Sequence, residues 1–140
     1  MRNKLLALFV LFALGLPLPV LACSCVEADL KGQVRSADQV FIGQLHSARL
    51  ITPEGEDDFP EIEADMQPQD VFKGRVKPGE AVRIRTGLGG GDCGVPMRVG
   101  RFYAVFMDRD DDRIGICGGS QEVDLRDMDD WRKRLRRYSR

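Results

Sequence analysis

Residues 39–51 read QVFIGQLHSARLI, and this run gives the strongest indication of the fold. It is rich in β-branched and aromatic residues, which favour a long strand. Gly43 lies inside the run, at a place typical of a β-bulge. Because a bulge bends a strand, we expect this strand to curve as part of a small barrel.

Four further runs have strand character. They lie at residues 62–72, 81–85, 102–107 and 113–117. The turn 108–112 predicts that the last two runs pair with each other. Five short strands separated by turns are typical of a sandwich or a barrel rather than of an α/β sheet. We therefore expect a mainly β domain, a barrel closed by a helix.

Two segments carry helical signals. Residues 27–36 are a short, mostly polar helix candidate. From Asp124 to Tyr138, apolar residues recur every three or four positions, which is helical periodicity. Acidic residues fill the start of this segment and basic residues its end, an order that complements the helix dipole. We expect it to pack on the barrel with a solvated outer face, and contact of its basic end with anionic lipid is the alternative.

Residues 1–22 have the parts of a secretory signal. A positive start precedes an apolar run at residues 5–16, and small residues at the end of the segment offer a cleavage site after Ala22. The apolar run is too short to span a bilayer comfortably. Cleavage there leaves residues 23–140 as one compact domain.

The same junction also resembles a bacterial lipobox, in which Cys23 carries a diacylglycerol and an acylated amine. However, all the cysteines lie in the exported part, and lipidation of one would leave an odd thiol in an oxidising compartment. We therefore expect a free amine on Cys23, in a secreted or periplasmic protein. A lipoprotein anchored to the membrane through Cys23 is the alternative.

The four cysteines are Cys23, Cys25, Cys93 and Cys117, and they allow three pairings. In an extended segment Cys23 and Cys25 point to opposite faces, so they are poorly placed to bond with each other. Each is expected to bond with one of the two distant cysteines, and either choice is open. A redox-active role is disfavoured because the chain has no Cys-x-x-Cys at a helix start.

Charge and residue types argue against several classes of protein. The predicted signal carries two of the 21 basic residues, so residues 23–140 hold 19 basic and 22 acidic residues, a net charge of −3. This balance does not indicate a nucleic-acid binder. His46 is the only histidine, which excludes a histidine-based zinc centre of the protein's own. No nucleophile with the required partners supports catalysis, so we expect a non-enzyme without a cofactor.

Several short motifs occur in order along residues 23–140. They are Cys23-Ser24-Cys25, Ala37-Asp38-Gln39-Val40, Val71-Phe72-Lys73-Gly74, Cys93-Gly94-Val95, Val99-Gly100, Tyr103 and Cys117. Their order and spacing resemble the inhibitory N-terminal domain of the tissue inhibitors of metalloproteinases. The resemblance implies a netrin-like module with an OB-type barrel. Together with the strand and helix patterns above, it predicts a five-stranded closed barrel with a short N-terminal helix and a C-terminal helix packed on it.

The resemblance also implies a disulfide pairing and an activity. Cys23 would bond with Cys93, and Cys25 with Cys117. In these inhibitors the amine and carbonyl of the first cysteine bind the catalytic zinc of a protease, and the short residue after it enters the specificity pocket. That short residue is Ser24 here. The implied protease-binding residues are Cys23, Ser24, Cys25, Asp92, Cys93 and Gly94.

The chain departs from the family in two places. It lacks the third disulfide of the inhibitory domain, and the run Gly89-Gly90-Gly91-Asp92 stands where the family has small or apolar contacts. Asp92 is expected either to repel the acidic catalytic residue of the protease or to hold the terminal ammonium charged. Both effects would weaken inhibition.

Two functions are therefore expected as alternatives. The first is a monomeric, secreted inhibitor of a zinc metalloprotease, with the zinc supplied by the protease. The second is a netrin-like binding module that uses the barrel face or the acidic loop 54–58, with a purely structural stapled N-terminus. The binding module is either secreted or anchored by lipid, and we expect contact with a membrane only if Cys23 is lipidated.

Overall fold

The computed structural model describes residues 23–26, 28–52, 59–89 and 91–140. The predicted signal segment 1–22 and the acidic residues 54–58 lie outside these ranges. The described part is mainly β, with one five-stranded antiparallel sheet and two helices. In chain order the elements are α1 (Leu30–Ser36), β1 (Gln39–Ile51), β2 (Glu61–Lys73), β3 (Val82–Thr86), β4 (Phe102–Met107), β5 (Gln121–Val123) and α2 (Met128–Tyr138).

Strand β1 is the centre of the sheet. The strand order is β3-β2-β1-β4-β5, so β1 pairs with β2 on one side and with β4 on the other. Its register against β2 shifts between Ile42 and Gly43, which confirms the irregularity predicted at this glycine. Further shifts occur between Val40 and Phe41 and between Leu45 and Ser47.

The sheet does not close into the predicted barrel. Strands β3 and β5 are its two edges, and no ladder joins them in the described residues. The segment after β4 meets β3 at a single parallel bridge between Arg85 and Arg113. There the N–H of Arg85 donates to the Asp112 carbonyl at 2.7 Å, and the N–H of Ile114 donates to the Arg85 carbonyl at 2.8 Å. One bridge leaves the sheet open, so the closed barrel was a wrong prediction.

The last strand also differs from its prediction. Residues 113–117 do not pair with β4, and their place is taken by β5, whose Val123 is opposite Phe102. The chain leaves the extended conformation at the 3₁₀ turn Ile116–Gly118, which Gly119 ends with a φ of +94°. A left-handed residue of this kind suits glycine and turns the chain toward β5. Because β5 has only three residues, two of them polar, it gives no strand pattern.

Both faces of the sheet are covered by apolar side chains. Successive residues of a strand point to opposite faces, so Val40 and Ile42 lie on one face of β1, and Phe41 and Leu45 lie on the other. The helix-side core consists of Leu30, Val34, Ala37, Val40, Ile42, Ala104, Phe106, Val123, Met128 and Leu135. The opposite core consists of Phe41, Leu45, Ala64, Met66, Ile84, Val95, Tyr103, Val105, Met107 and Ile114. The second core includes Val95, which directly follows the loop described below.

Helix α1 begins later than predicted because Asp29 caps it. The Asp29 side chain accepts a hydrogen bond from the Gly32 N–H at 2.7 Å, which satisfies a free donor of the first turn. At the other end, the ammonium of Lys73 donates to the carbonyls of Val34 and Arg35 at 3.0 and 3.1 Å, and also to that of Ala37. Lys73 therefore ties the end of β2 to the end of α1.

The C-terminal helix is shorter than predicted. Residues Leu125–Asp127 form a 3₁₀ turn, and α2 begins at Met128. Leu125 is exposed and is not part of the packed stripe. Met128 and Leu135 are buried in the helix-side core, and Trp131 and Tyr138 are half-buried against it. In the described residues, no helix is both long enough and apolar enough to cross a bilayer.

Candidate functional site

Two disulfides hold the segment 23–25. Cys23 is bonded to Cys93 with their Cα atoms 5.7 Å apart, and Cys25 is bonded to Cys117 with their Cα atoms 5.0 Å apart. The pairing implied by the family resemblance is therefore confirmed. Because the two bonds lead to different parts of the chain, Ser24 is held between two fixed points while its side chain stays exposed.

The loop before Cys93 is organised by the carboxylate of Asp92. Its Oδ2 accepts the N–H of Leu88 at 2.7 Å, and its Oδ1 accepts the N–H groups of Gly89 at 2.9 Å and Gly94 at 3.0 Å. The bond from Gly94 is the main cause that lowers the pKa of Asp92 below its ordinary value. Asp92 is thus ionised at neutral pH. The two effects predicted for its charge on a bound protease stay predictions.

Backbone constraints fix the loop on both sides of the disulfide. Cys93 has a φ of +56°, which is uncommon for a residue other than glycine. Gly94 lies so close to Gly87 that a Cβ on Gly94 would come within 2.3 Å of the Gly87 carbonyl group. Only glycine permits this approach. The next N–H, that of Val95, donates to the buried hydroxyl of Thr86 at 2.8 Å.

Tyr103 anchors the chain that follows this loop. Its side chain is fully buried in β4, and its hydroxyl donates to the Pro96 carbonyl at 3.0 Å and accepts the N–H of Arg98 at 2.8 Å. Burial raises the pKa of Tyr103, so the hydroxyl keeps its proton at neutral pH. The sheet therefore sets the position of the loop that carries Cys93.

The two disulfides lie close to each other. The N–H of Ile116 donates to the Cys93 carbonyl at 3.0 Å, which joins the loop to the 3₁₀ turn that carries Cys117. The sulfur atoms of Cys23, Cys25 and Cys117 lie within 4.8 Å of one another. All four cysteines are oxidised, so none offers a thiolate ligand for a metal ion. In this form, any metal binding by the segment would have to use backbone atoms or the Ser24 hydroxyl.

A groove of about 380 Å³ lies beside Cys93. Phe59 lies on its edge with 81% of its surface exposed, and Glu61 and Arg113 form an ion pair in its wall with an N–O distance of 3.0 Å. The groove offers an aromatic ring and paired charges next to the stapled segment. Sequence reasoning missed these three residues because only the fold brings them beside Cys93.

The predicted contact residues therefore share one region. The segment 23–25 and the loop 92–94 are joined directly by the Cys23–Cys93 bond. Sequence reasoning predicted that the charge of Asp92 acts on a partner, which stays a prediction, and it missed the role of Asp92 within the loop. A signal for that role was present, because an aspartate after a glycine run is typical of a turn in which the carboxylate accepts backbone N–H groups.

The role of Asp92 predicts a pH-dependent contribution to stability. Because its folded-state pKa lies below the ordinary value of 3.8, the contribution is complete above about pH 4 and is lost as pH falls through the lowered pKa. Asp92→Asn removes the charge, so we expect it to lower the melting temperature at neutral pH and to approach the native protein in strong acid. Thermal melting followed over this pH range measures the difference.

The matched control for that experiment is Asp110→Asn. Asp110 is an exposed aspartate in the turn after β4, and its side chain has no hydrogen-bond partner among the described residues. We expect the melting temperature of the Asp110→Asn variant to follow that of the native protein at every pH. If the melting temperature of Asp92→Asn differed from that of the native protein by the same amount at every pH, this would contradict the role of the ionised carboxylate.

Two comparisons with known proteins give no relative from which a role could be transferred. No protein-family model matches the chain, and the search of curated proteins found no match.

Proposed function

We propose that this chain, once cut after Ala22, is an exported inhibitor of zinc metalloproteases. It acts by binding rather than by catalysis. The backbone amine and carbonyl of Cys23 would bind the catalytic zinc of the protease, and Ser24 would enter the adjacent specificity pocket. The netrin-like family assignment is part of this proposal and rests on the sequence resemblance.

The observation that carries the proposal is the double stapling of the segment 23–25. One disulfide ties Cys23 to the Asp92 loop and the other ties Cys25 to the 3₁₀ turn, while Ser24 is exposed between them. A segment fixed in this way loses little conformational freedom when it binds, and this lowers the free-energy cost of association. The two bonds also suit an oxidising compartment.

The chemistry of a free Cys23 terminus matches that of a catalytic zinc. Such a zinc has three protein ligands and an open position that holds water. A neutral amine together with the carbonyl oxygen of the same residue can replace that water in a five-membered chelate. An α-amino group has a pKa of about 7.7–8.0, so a substantial fraction is neutral at physiological pH.

The short side chain of Ser24 and the loop at 92–94 would form the rest of the contact. Ser24 follows the zinc-binding residue and points its small hydroxyl group toward the protease. Asp92 and Gly94 lie on the loop bonded to Cys23, where they would meet the rim of the protease cleft. The groove next to Cys93, with Phe59 on its edge, extends this surface.

The alternative is a binding module whose N-terminus is only structural. The exposed ring of Phe59 beside the groove favours it, because such a surface can bind a protein segment without any metal. This alternative requires no free amine on Cys23. The two functions therefore differ in whether the amine of Cys23 must be free.

The intact mass of the exported protein shows whether the amine of Cys23 is free. We expect the mass of residues 23–140 with two disulfides and no addition, which means a free amine on Cys23. A mass increased by diacylglycerol and acyl groups, or by residues that precede Cys23, would rule out chelation by the terminus and leave the binding module. The measurement needs no knowledge of the target protease.

A further inference from the structure

The end of helix α2 carries a group of cations without acidic partners. Lys133, Arg137 and Arg140 are exposed, and in the part of the chain that the structure describes no carboxylate lies within 4.0 Å of their charged groups. Their basic neighbours differ, since Arg132 lies 2.7 Å from the Asp70 carboxylate and Arg136 lies 3.6 Å from it. We call Lys133, Arg137 and Arg140 the basic ridge.

The basic ridge is a continuous surface rather than three scattered charges. Lys133 and Arg137 are four residues apart and so lie on the same side of α2. Together with Arg140 they line one open depression of about 570 Å³, whose other lining residues are Asp129, Arg132 and Arg136. Five of its six lining residues are basic, so the depression is suited to an anionic ligand.

The helix dipole accounts for only part of this arrangement. The helix dipole favours a cation near the C-terminus by a small amount, but like charges four residues apart repel each other. The chain as a whole has a net charge of −1, so the ridge is a local concentration of positive charge on an acidic protein. Such asymmetry orients a protein toward a negatively charged surface.

Two aromatic rings of α2 lie near basic side chains, and one of these side chains belongs to the basic ridge. The guanidinium of Arg134 lies 5.5 Å from the ring centroid of Trp131, and that of Arg137 lies 5.9 Å from the ring centroid of Tyr138. Both rings are half-buried, with one part against the core and one part open to solvent. Trp131 is two residues before Lys133 and so lies on the other side of the helix, which leaves Tyr138 as the ring next to a ridge cation. A half-exposed tyrosine beside a cation suits the headgroup layer of a membrane.

We propose that the basic ridge docks the protein on the surface of an anionic phospholipid membrane. The guanidinium groups of Arg137 and Arg140 and the ammonium of Lys133 would donate hydrogen bonds to lipid phosphate oxygens. Each cation near such a surface strengthens binding by roughly fivefold, so the ridge contributes roughly hundredfold. This docking does not depend on the proposed protease inhibition, because it needs no free amine on Cys23.

Vesicle sedimentation of the exported protein tests the ridge. One vesicle type is equimolar phosphatidylcholine and phosphatidylglycerol, and the other is phosphatidylcholine alone. The test variant carries Lys133→Glu, Arg137→Glu and Arg140→Glu, and the control variant carries Arg75→Glu, Lys77→Glu and Arg109→Glu. Both variants change the net charge equally, but the control residues lie outside α2.

We expect the native protein and the control variant to sediment with the anionic vesicles and not with phosphatidylcholine alone. The test variant should bind the anionic vesicles at least roughly a hundredfold more weakly, and added salt should release the native protein. If the test variant melts at a lower temperature, the same positions changed to glutamine provide a second, milder test with a loss in the same direction.

Three outcomes would overturn the proposal. If the test and control variants lost binding to anionic vesicles equally, the net charge of the protein and not the basic ridge would determine binding. Equal binding to both vesicle types by every variant would place the attachment on a lipidated Cys23 instead. Binding of inorganic polyphosphate without binding to anionic vesicles would mean that the ridge recognises a soluble anion and not a membrane.

Discussion

A single alanine placed before Cys23 is expected to weaken protease inhibition by several orders of magnitude. The extension converts the amine of Cys23 into an amide, whose nitrogen is a poor zinc ligand, and moves the new amine away from the metal. It also places an extra residue where the floor of the protease active site would lie. Both the loss of the metal bond and the new clash weaken binding to the protease.

The experiment uses a precursor with one alanine inserted between Ala22 and Cys23, so that signal cleavage leaves the extended protein. Inhibition of a panel of secreted zinc endopeptidases is compared with that of the native protein. An alanine added after Arg140 is the matched control and should inhibit like the native protein. All three proteins should melt at nearly the same temperature, because the added residue is outside the sheet and both cores. Equal inhibition by native and extended forms, or inhibition by neither, would refute chelation.

Removal of the disulfide between Cys25 and Cys117 is expected to have the largest effect on stability. The two residues are 92 positions apart, but the remaining bond between Cys23 and Cys93 already closes most of that loop in the unfolded chain. Because the two loops overlap, the chain-entropy description gives a loss of roughly 3 kcal/mol. Both cysteines are exposed, so Cys25→Ser with Cys117→Ser leaves no buried cavity that would add to the loss. The expected change is therefore due to the cross-link alone.

Urea unfolding of this double variant against the native protein measures the effect. Ser24→Ala is the matched control, because it changes the residue between the cysteines and keeps both disulfides. We expect the control to stay within about 0.5 kcal/mol of the native protein, as exposed substitutions usually do. A loss below about 1 kcal/mol in the double variant would mean that the 3₁₀ turn and the Asp92 loop hold the segment without this bond.

The long strands could be predicted from the sequence because their side chains carry a local signal. The run Gln39–Ile51 has the bounds of β1, and Gly43 lies at one of its register shifts. The prediction for 62–72 differs from β2 by one residue at each end. These strands are long and rich in β-branched or aromatic residues, so tertiary contacts reinforce a preference already present in the sequence.

The edges of the sheet could not be predicted in the same way. The segment 113–117 has alternating apolar residues, but the hydrogen bond from Ile116 to Cys93 and the turn at Gly119 remove it from the ladder. Barrel closure depends on contacts between β3 and distant residues, which no local pattern encodes. Likewise, the three N–H groups bound by Asp92 converge only once the loop has formed.

The predicted site depends partly on sequence and partly on structure. The Cys-Ser-Cys motif at residues 23–25 is visible in the sequence, and the four cysteines limit the possible disulfides. The choice between the two remaining pairings came from the resemblance to the family. The structure adds the reason why the segment 23–25 is held in one place. Asp92, Thr86 and Tyr103 fix the loop and the chain that follows it, so Cys93 presents a defined anchor to Cys23.

The visible absorption spectrum of a cobalt-substituted zinc endopeptidase tests zinc chelation by Cys23 most directly. One protease that the native protein inhibits is chosen from the panel and loaded with cobalt. It is then titrated with the native and the alanine-extended forms of the protein. The native protein is predicted to shift the cobalt bands up to one equivalent, because an amine nitrogen replaces a water oxygen on the metal, and the extended form is predicted to leave them unchanged. Inhibition of the cobalt enzyme by the native protein without any change in its spectrum would contradict the proposal.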